Sequence, residues 1–178
     1  MIKYLLDVPC ITIQLKNKED KMNSSVIKIT KLSIVCAMYI VLTIINPFSY
    51  DTIQFRISEI LMLLVFFDKK YSISLIIGCF ISNLFSSLML YDIIFGTLAT
   101  AIACIGMICV KNIYVSILFP IISNGLLVPL ELTLAFKTPF LINVLWVVIG
   151  ETVVMIIGVI IFSILKKRKF FIELINLN

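Results

Sequence analysis

Apolar residues dominate this chain from residue 29 onward, in six long segments that short polar breaks separate. We compare each segment with the ~20 residues that a helix needs to span a bilayer. Pro47 ends the first segment, because proline disfavours helical geometry in the residue before it, and Pro139 suits the first turn of the last. The pattern predicts an all-α bundle of six transmembrane helices, at about 29–46, 55–67, 71–89, 93–110, 113–136 and 140–165. The second is short enough to enter only part of the bilayer.

The composition places nearly the whole chain in a membrane. Hydrophobic residues make up 61% of it, and its mean hydropathy is +1.15, whereas soluble domains contain roughly 45–50% apolar residues. We therefore predict one six-helix membrane domain at 28–166, a cytoplasmic N-terminal tail at 1–27 and a basic cytoplasmic C-terminal tail at 167–178. Met22 is an alternative start, since the apolar stretch before the charged run 16–21 is too short and too interrupted to span.

The charged residues between the segments predict the orientation. Lysine and arginine collect on one side of the membrane, whereas the other side carries Asp51, Asp92 and only Lys137. By the positive-inside rule both termini are cytoplasmic, which requires an even number of spans. The same distribution explains the net charge of +5 without nucleic acid as a partner. The basic residues on the cytoplasmic side are Lys28, Lys31, Lys69, Lys70, Lys111, Lys166, Lys167, Arg168 and Lys169.

Small residues at four-residue spacing predict where helices touch, because they let backbones approach closely in lipid. Such strips occur on the third and fourth segments, so we expect these two helices to pack in the centre. Ser33 and Ala37 form a similar strip on the first helix, which faces either another helix of this chain or a partner protein. The central strips are Ser74, Gly78, Ser82 and Ser86, and then Gly96, Thr100 and Cys104.

Four ionisable residues within the apolar segments are candidates for chemistry: Arg56, Glu59, Glu131 and Glu151. An ionised side chain at the bilayer centre costs about 2.5–3.5 kcal/mol on insertion scales, so a retained one is a functional candidate. Arg56 and Glu59 are three residues apart and can form an internal ion pair or contact a ligand. Three acids against one base leave an anionic excess, which either binds protons or awaits a cationic or donor-rich ligand.

Amide and aromatic side chains extend this set. Asn83, Asn124 and Asn143 offer both hydrogen-bond donors and acceptors. Aromatic residues can stack on a flat ring, although each can equally pack in the core or face lipid. The aromatic candidates are Trp146, Phe85 and Phe95.

Nothing in the sequence indicates an enzyme. The chain has no His, no close cluster of acidic residues and no G-x-x-x-x-G-K-[ST] loop for nucleotide. Its five cysteines form no C-x-x-C pair, so we predict no metal site, disulfide or cofactor. Uphill transport by such a chain requires ion coupling or another subunit.

Several ordered motifs resemble those of the queuosine-precursor transporter family, which are substrate-binding S components of energy-coupling factor (ECF) transporters. The resemblance covers residues 31–165, nearly the whole membrane region. It is carried by IQFRISE at 53–59, GCFISNLF at 78–85, DIIFGTLAT at 92–100, Asn124-Gly125, Glu131-Leu132 and Gly150-Glu151.

The resemblance implies a six-helix S component in a bacterial cell membrane that captures queuine or its deazaguanine precursors near the outer surface. Such a component works with an ECF transmembrane subunit and two cytoplasmic ATPases, which agrees with the missing nucleotide motif. In these folds an Ala-x-x-x-Ala strip on the first helix touches the membrane partner. Ser33 and Ala37 occupy that place here and are the predicted docking residues.

A deazaguanine has adjacent N–H and amino donors that a carboxylate accepts, a carbonyl acceptor and a flat face. Glu131 or Glu151 is the hypothesised reader of the base edge. Three alternatives stay open: an S component for another vitamin or base, an intramembrane enzyme that uses these two acids as an acid/base pair, and a structural membrane subunit. The predicted substrate-binding residues are Gln54, Arg56, Glu59, Asn83, Asn124, Glu131, Asn143, Trp146 and Glu151.

Overall fold

The computed structural model describes the backbone of residues 9–50 and 55–177, and these residues form helices without any strand. The all-α prediction is therefore confirmed. A 3-10 helix, Ile57–Met62, leads directly into α2, and a π-helical turn, Asp92–Gly96, joins α4 to α5. The α-helices are α1 (Pro9–Ile45), α2 (Leu63–Phe67), α3 (Tyr71–Asn83), α4 (Met89–Tyr91), α5 (Thr97–Ile108), α6 (Ile113–Ser116), α7 (Leu118–Phe136), α8 (Phe140–Leu165) and α9 (Lys169–Ile175).

Several of these helices are long and apolar enough to cross a membrane. In the described part of the chain there are four such segments, and two shorter apolar ones lie between them. The all-helical bundle thus contains several helices that could cross a membrane, whereas the number six stays a prediction. The long segments are Ser24–Ile45, Met89–Ile108, Ile113–Phe136 and Phe140–Leu165, and the short ones are Ile57–Phe67 and Tyr71–Asn83.

Some helix boundaries differ from the predicted ones. α1 begins at Pro9 rather than near 29, because the polar residues before 29 are adequate helix formers and no proline or glycine interrupts them. α3 ends at Asn83 rather than 89. Beyond it Ser86 accepts a hydrogen bond from the Leu88 amide, a local bond that competes with helix continuation. The cytoplasmic location of residues 1–27 stays a prediction.

The short second segment is the centre of the bundle. Met62 and Leu63 are fully buried, and the segment packs against α1, α8 and α5. Gly158 of α8 permits this packing, because a Cβ there would lie 2.9 Å from the Leu63 side chain. Being surrounded by protein, the segment can bury its backbone without spanning the full bilayer.

The predicted contact between the third and fourth helices is present as α3 against α5. Thr100 on α5 donates a 3.2 Å hydrogen bond to Cys79 on α3. Gly78 of α3 packs against α1 rather than α5, because a Cβ at this position would lie 3.1 Å from the Tyr39 Cβ. The small strip therefore lets α1 and α3 approach closely, which sets the position of Tyr39.

The C-terminal segment 169–177 folds back onto the end of the bundle that carries most of the lysines, here called the basic end. Ile175 and Leu177 are buried there. Lys31 donates a 2.8 Å hydrogen bond to the Asn176 carbonyl, and Tyr71 donates one of 2.9 Å to that of Ile175. Phe171 also packs edge-on against rings of α2 and α8. The segment thus fastens α1, α2, α3 and α8 together at one end.

Ser33 and Ala37, the predicted docking residues, lie on the outer surface of α1 and are exposed. They line a shallow apolar groove between α1 and α3, which Ile40 and Ile77 continue. Within the described chain, the strip is therefore open to a lipid or to another protein.

Candidate functional site

Arg56 is the centre of a buried polar cluster near the end of the bundle opposite the basic end. It immediately precedes the 3-10 helix and is only 3% exposed. Its Nη1 lies 3.9 Å from Oε1 of Glu59, and its Nη2 lies 3.9 Å from Oδ1 of Asp92. One guanidinium group is thus shared between two carboxylates from different elements.

Glu59 is held by α1 as well as by Arg56. The Tyr39 hydroxyl donates a 2.7 Å hydrogen bond to its Oε1, while no described residue lies within hydrogen-bonding geometry of its Oε2. One helical turn along α1, Thr43 donates a 2.7 Å hydrogen bond to Ser58. These two bonds fix the start of the 3-10 helix against α1, and they leave one oxygen of Glu59 available.

Asp92 enters the cluster through the π-helical turn. It is 2% exposed, its carboxylate accepts a hydrogen bond from Ser86, and its carbonyl accepts one of 2.7 Å from the Asn83 amide. Gly96, at the end of the turn, makes room for Asn83, since a Cβ there would lie 2.8 Å from its Nδ2. The wider π turn therefore directs an acid inward that would otherwise lie in a connection.

Glu131 of α7 lies next to Asp92. It is fully buried, and among the described residues its carboxyl group has the Asp92 carboxyl as a polar neighbour but no N–H or hydroxyl group that donates to it. Pro129 lies within the same helix. A buried polar group without a partner is costly, so Glu131 is a strong candidate for contact with something beyond the protein.

The fourth acid of the cluster is Glu151 of α8, which lies near Glu59. It is 2% exposed, and Asn124 of α7 is 5% exposed. The Asn124 side chain interacts with both Glu59 and Glu151. Gly125 allows α7 and α8 to come this close, because a Cβ on it would lie 2.6 Å from the Val148 side chain.

An internal space lies among these side chains. It has almost no free volume, about 0 Å³, against the ~300–1,000 Å³ of typical ligand pockets. A flat ring system can enter only if the side chains move apart. The lining residues are Arg56, Glu59, Asn124, Val147 and Glu151.

The structure brings most of the predicted site residues together. Arg56, Glu59, Asn124 and Glu151 line the same space. Asn83 and Glu131 join them through Asp92.

Two predicted site residues are placed differently, and a third is not described. Asn143 is buried, but its amide donates to Thr133 and Thr138 at 3.2 and 2.8 Å and so closes the connection between α7 and α8. Trp146 is 42% exposed and does not line the space. Gln54 lies outside the described residues.

Sequence reasoning missed Asp92 and Tyr39 as members of the cluster. Asp92 was assigned to a connection because it stands at the edge of an apolar segment. A usable signal was present, since it begins the DIIFGTLAT motif. Tyr39 carried no such signal, because a tyrosine in an apolar helix is usually a packing residue.

Comparison with known proteins decides the family. The QueT transporter family matches this chain over residues 29–167. The chain belongs to the QueT transporter family. The chain is also 34% identical over 159 residues to the queuosine precursor transporter QueT of Lactococcus lactis subsp. cremoris (strain MG1363), an alignment that covers 79% of this chain and 92% of that protein. No solved structure matches the chain.

Membership in the QueT family confirms the resemblance seen in the motifs and establishes a transporter rather than an enzyme. Together with the four long apolar helices, it makes the chain a multi-pass membrane protein. The matched region 29–167 contains every residue of the buried cluster.

Proposed function

We propose that this QueT family member is the substrate-binding S component of an ECF-type transporter that imports queuosine precursors: queuine, preQ1 or preQ0. The observation that carries the proposal is the cluster of charged residues around Arg56, which is buried far from the basic end. Charged groups inside a membrane bundle characteristically mark substrate pathways. The relative's name as a queuosine precursor transporter supplies the substrate class.

The deazaguanine ring would enter the space between α7, α8 and the 3-10 helix. Among the described residues Glu59 and Glu151 each have one carboxyl oxygen without a hydrogen bond, and these oxygens can accept from the N–H and amino groups of the base edge. Arg56 can donate to the base carbonyl through Nε or Nη2, since neither donates a hydrogen bond to a described residue. Asn124, between the two acids, can donate or accept.

The remaining predicted contacts require movement. Asn83 and Glu131 adjoin this space through Asp92, so a small shift of α7 brings Glu131 to the ligand and one of α3 brings Asn83. Asn143 and Trp146 contact the solute only if α8 rotates, and Gln54 stays a predicted contact outside the described residues.

The proposed topology has six spans with both termini in the cytoplasm. The two short apolar segments would bring the four long ones to six. An even number of spans places the lysines of both tails and of two connections at one end of the bundle, as the positive-inside rule requires of a cytoplasmic face. The buried cluster then lies in the outer half of the bundle, where a solute arriving from outside is captured.

An ECF transmembrane subunit and two ATPases would supply the energy. The chain has no nucleotide-binding loop, so transport by alternating access needs an external ATPase. The exposed strip of Ser33 and Ala37 on α1 is the proposed docking surface for the transmembrane subunit, since small residues permit close helix packing in lipid.

Binding of a deazaguanine to the purified chain tests the proposed function. We expect Glu151→Gln, which removes a base-edge carboxylate, to weaken binding by about tenfold or more, since a hydrogen bond to a charged group is worth about 1.5–3 kcal/mol. Glu131→Gln tests the alternative reader in the same way. Glu173→Gln, an exposed acid of α9, is the matched control and should bind normally.

Two results would overturn this proposal. Unchanged affinity in both the Glu131 and the Glu151 variants would remove the carboxylates from the binding site. Concentrative uptake into liposomes by the purified chain alone, without ATPase subunits, would exclude the S-component mechanism.

A further inference from the structure

The buried cluster contains two pairs of acids and a single base. Glu59 and Glu151 lie on one side of Arg56, and Asp92 and Glu131 lie on the other. All four acids are at most 2% exposed. The second pair is the less satisfied, because the polar neighbour of Glu131 is another acid, Asp92, and among the described residues no N–H or hydroxyl group donates a hydrogen bond to Glu131 or to Oδ1 of Asp92.

Arg56 does not neutralise either pair fully. Its two ion-pair distances are both 3.9 Å, whereas a charge-assisted bidentate contact is about 2.7–2.9 Å long. In the described part of the chain the other lysines and arginines lie at the basic end or, as with Lys137, on the exposed opposite surface. The cluster therefore has more acceptor oxygens than its single cation can pair, and within the described residues no further cation lies beside them.

Buried carboxylates need a partner, because desolvation of an unpaired charge costs more than most single interactions return. We propose that the Asp92 and Glu131 pair receives an ammonium group of the solute, and that the site therefore prefers cationic deazaguanines to neutral ones. This inference rests on the proposed function, in which Glu59, Glu151 and Asn124 hold the base edge.

The queuosine precursors themselves provide the comparison. preQ1 carries an aminomethyl group that is protonated at neutral pH, and preQ0 carries an uncharged nitrile on the same ring. Their base edges are identical, so contacts with Glu59 and Glu151 contribute equally to both. A difference in affinity between preQ1 and preQ0 therefore measures how the protein binds the substituent.

The test measures the dissociation constants of preQ1 and preQ0 with the full chain in detergent or nanodiscs. We expect preQ1 to bind about tenfold more tightly or better, a difference of about 1.4 kcal/mol or more, since a hydrogen bond to a charged group is stronger than one between neutral groups. Glu131→Gln should reduce this ratio toward one mainly by weakening preQ1. Asp92→Asn should act in the same direction, and Glu173→Gln should leave the ratio unchanged.

The outcomes separate the two proposals. Equal binding of preQ1 and preQ0 by the unaltered chain, or a preference that survives Glu131→Gln in a folded protein, would overturn the ammonium receptor while leaving the proposed function intact. Failure of both compounds to bind would overturn the proposed function itself. Asp92→Asn also removes the ion pair with Arg56 and so can prevent folding. In that case the preQ1 to preQ0 affinity ratio of the Glu131→Gln variant alone tests the proposal.

Discussion

Arg56 determines the stability of the cluster as well as its charge. It contacts Glu59 and Asp92 from two different elements, so its removal leaves both acids buried without a cation. We expect Arg56→Gln to destabilise the protein by about 3–5 kcal/mol, as found when one partner of a buried ion pair is removed. A lower unfolding temperature in detergent, together with lost deazaguanine binding, would show this.

Arg168→Gln is the matched control, because Arg168 is exposed at the basic end. It removes the same charge from the chain without touching the cluster. If the two variants unfolded at the same temperature, the 3.9 Å contacts of Arg56 would contribute no net stability.

At the scale of single residues, sequence reasoning identified side chains that are costly to bury. Arg56, Glu59, Glu131 and Glu151 stand out because a charge in an apolar segment needs an explanation. The orientation of a side chain around a helix is harder to infer. Trp146 has the same sequence context as buried residues of α8 yet is 42% exposed, because an almost uniformly apolar helix does not reveal which face meets lipid.

Among the elements, the C-terminal segment has a role that its composition conceals. Its charges suggest a solvated tail, but the side chains of Phe171, Ile175 and Leu177 pack into the bundle. We expect removal of residues 169–178 to lower the unfolding temperature markedly, since several apolar side chains lose their burial. Thermal unfolding of the truncated and intact chains in one detergent gives the comparison.

The same truncation should leave deazaguanine affinity unchanged at temperatures where the chain is folded. The segment lies at the basic end, and the Arg56 cluster lies near the opposite end. Lost binding without lost stability would mean that the C-terminal segment influences the site directly. The truncation removes one basic side chain, Lys169, and one acidic side chain, Glu173, so the net side-chain charge of the chain does not change.

Helix positions were predictable where apolar length decided them, and less so where local hydrogen bonds did. α8 was predicted at 140–165 and runs Phe140–Leu165, because proline and a basic run delimit it. The π turn at Asp92–Gly96 was not predicted. Its cause is tertiary, since Asn83 and Arg56 occupy the space beside Gly96.

For the molecule as a whole, the asymmetry between its two ends predicts its orientation. If the basic end is cytoplasmic, a cysteine at Lys137 should react with a membrane-impermeant maleimide in intact cells. Cys109, exposed near the basic end, should react only after permeabilisation. Each is measured in a chain whose other cysteines are replaced by serine or alanine. The reverse labelling pattern would place both termini outside.

The general architecture followed from composition and charge, but the number of complete spans did not. Four segments meet the length criterion for crossing a bilayer. The second and third of the six predicted helices were located only by the polar breaks on either side of them. Their packing against longer neighbours explains how such short helices are accommodated.

The shortness of α3 has a consequence for the surrounding lipid. Its 13 residues extend about 20 Å at 1.5 Å per residue, against a hydrocarbon thickness of ~30 Å. In the proposed six-span topology α3 crosses the bilayer with Ile73, Ile77 and Phe80 facing outward, so acyl chains beside this helix must compress or tilt, at a cost of fractions of a kcal/mol per Å. Thinner bilayers relieve that elastic strain, so the protein should be most stable in bilayers of short-chain phospholipids.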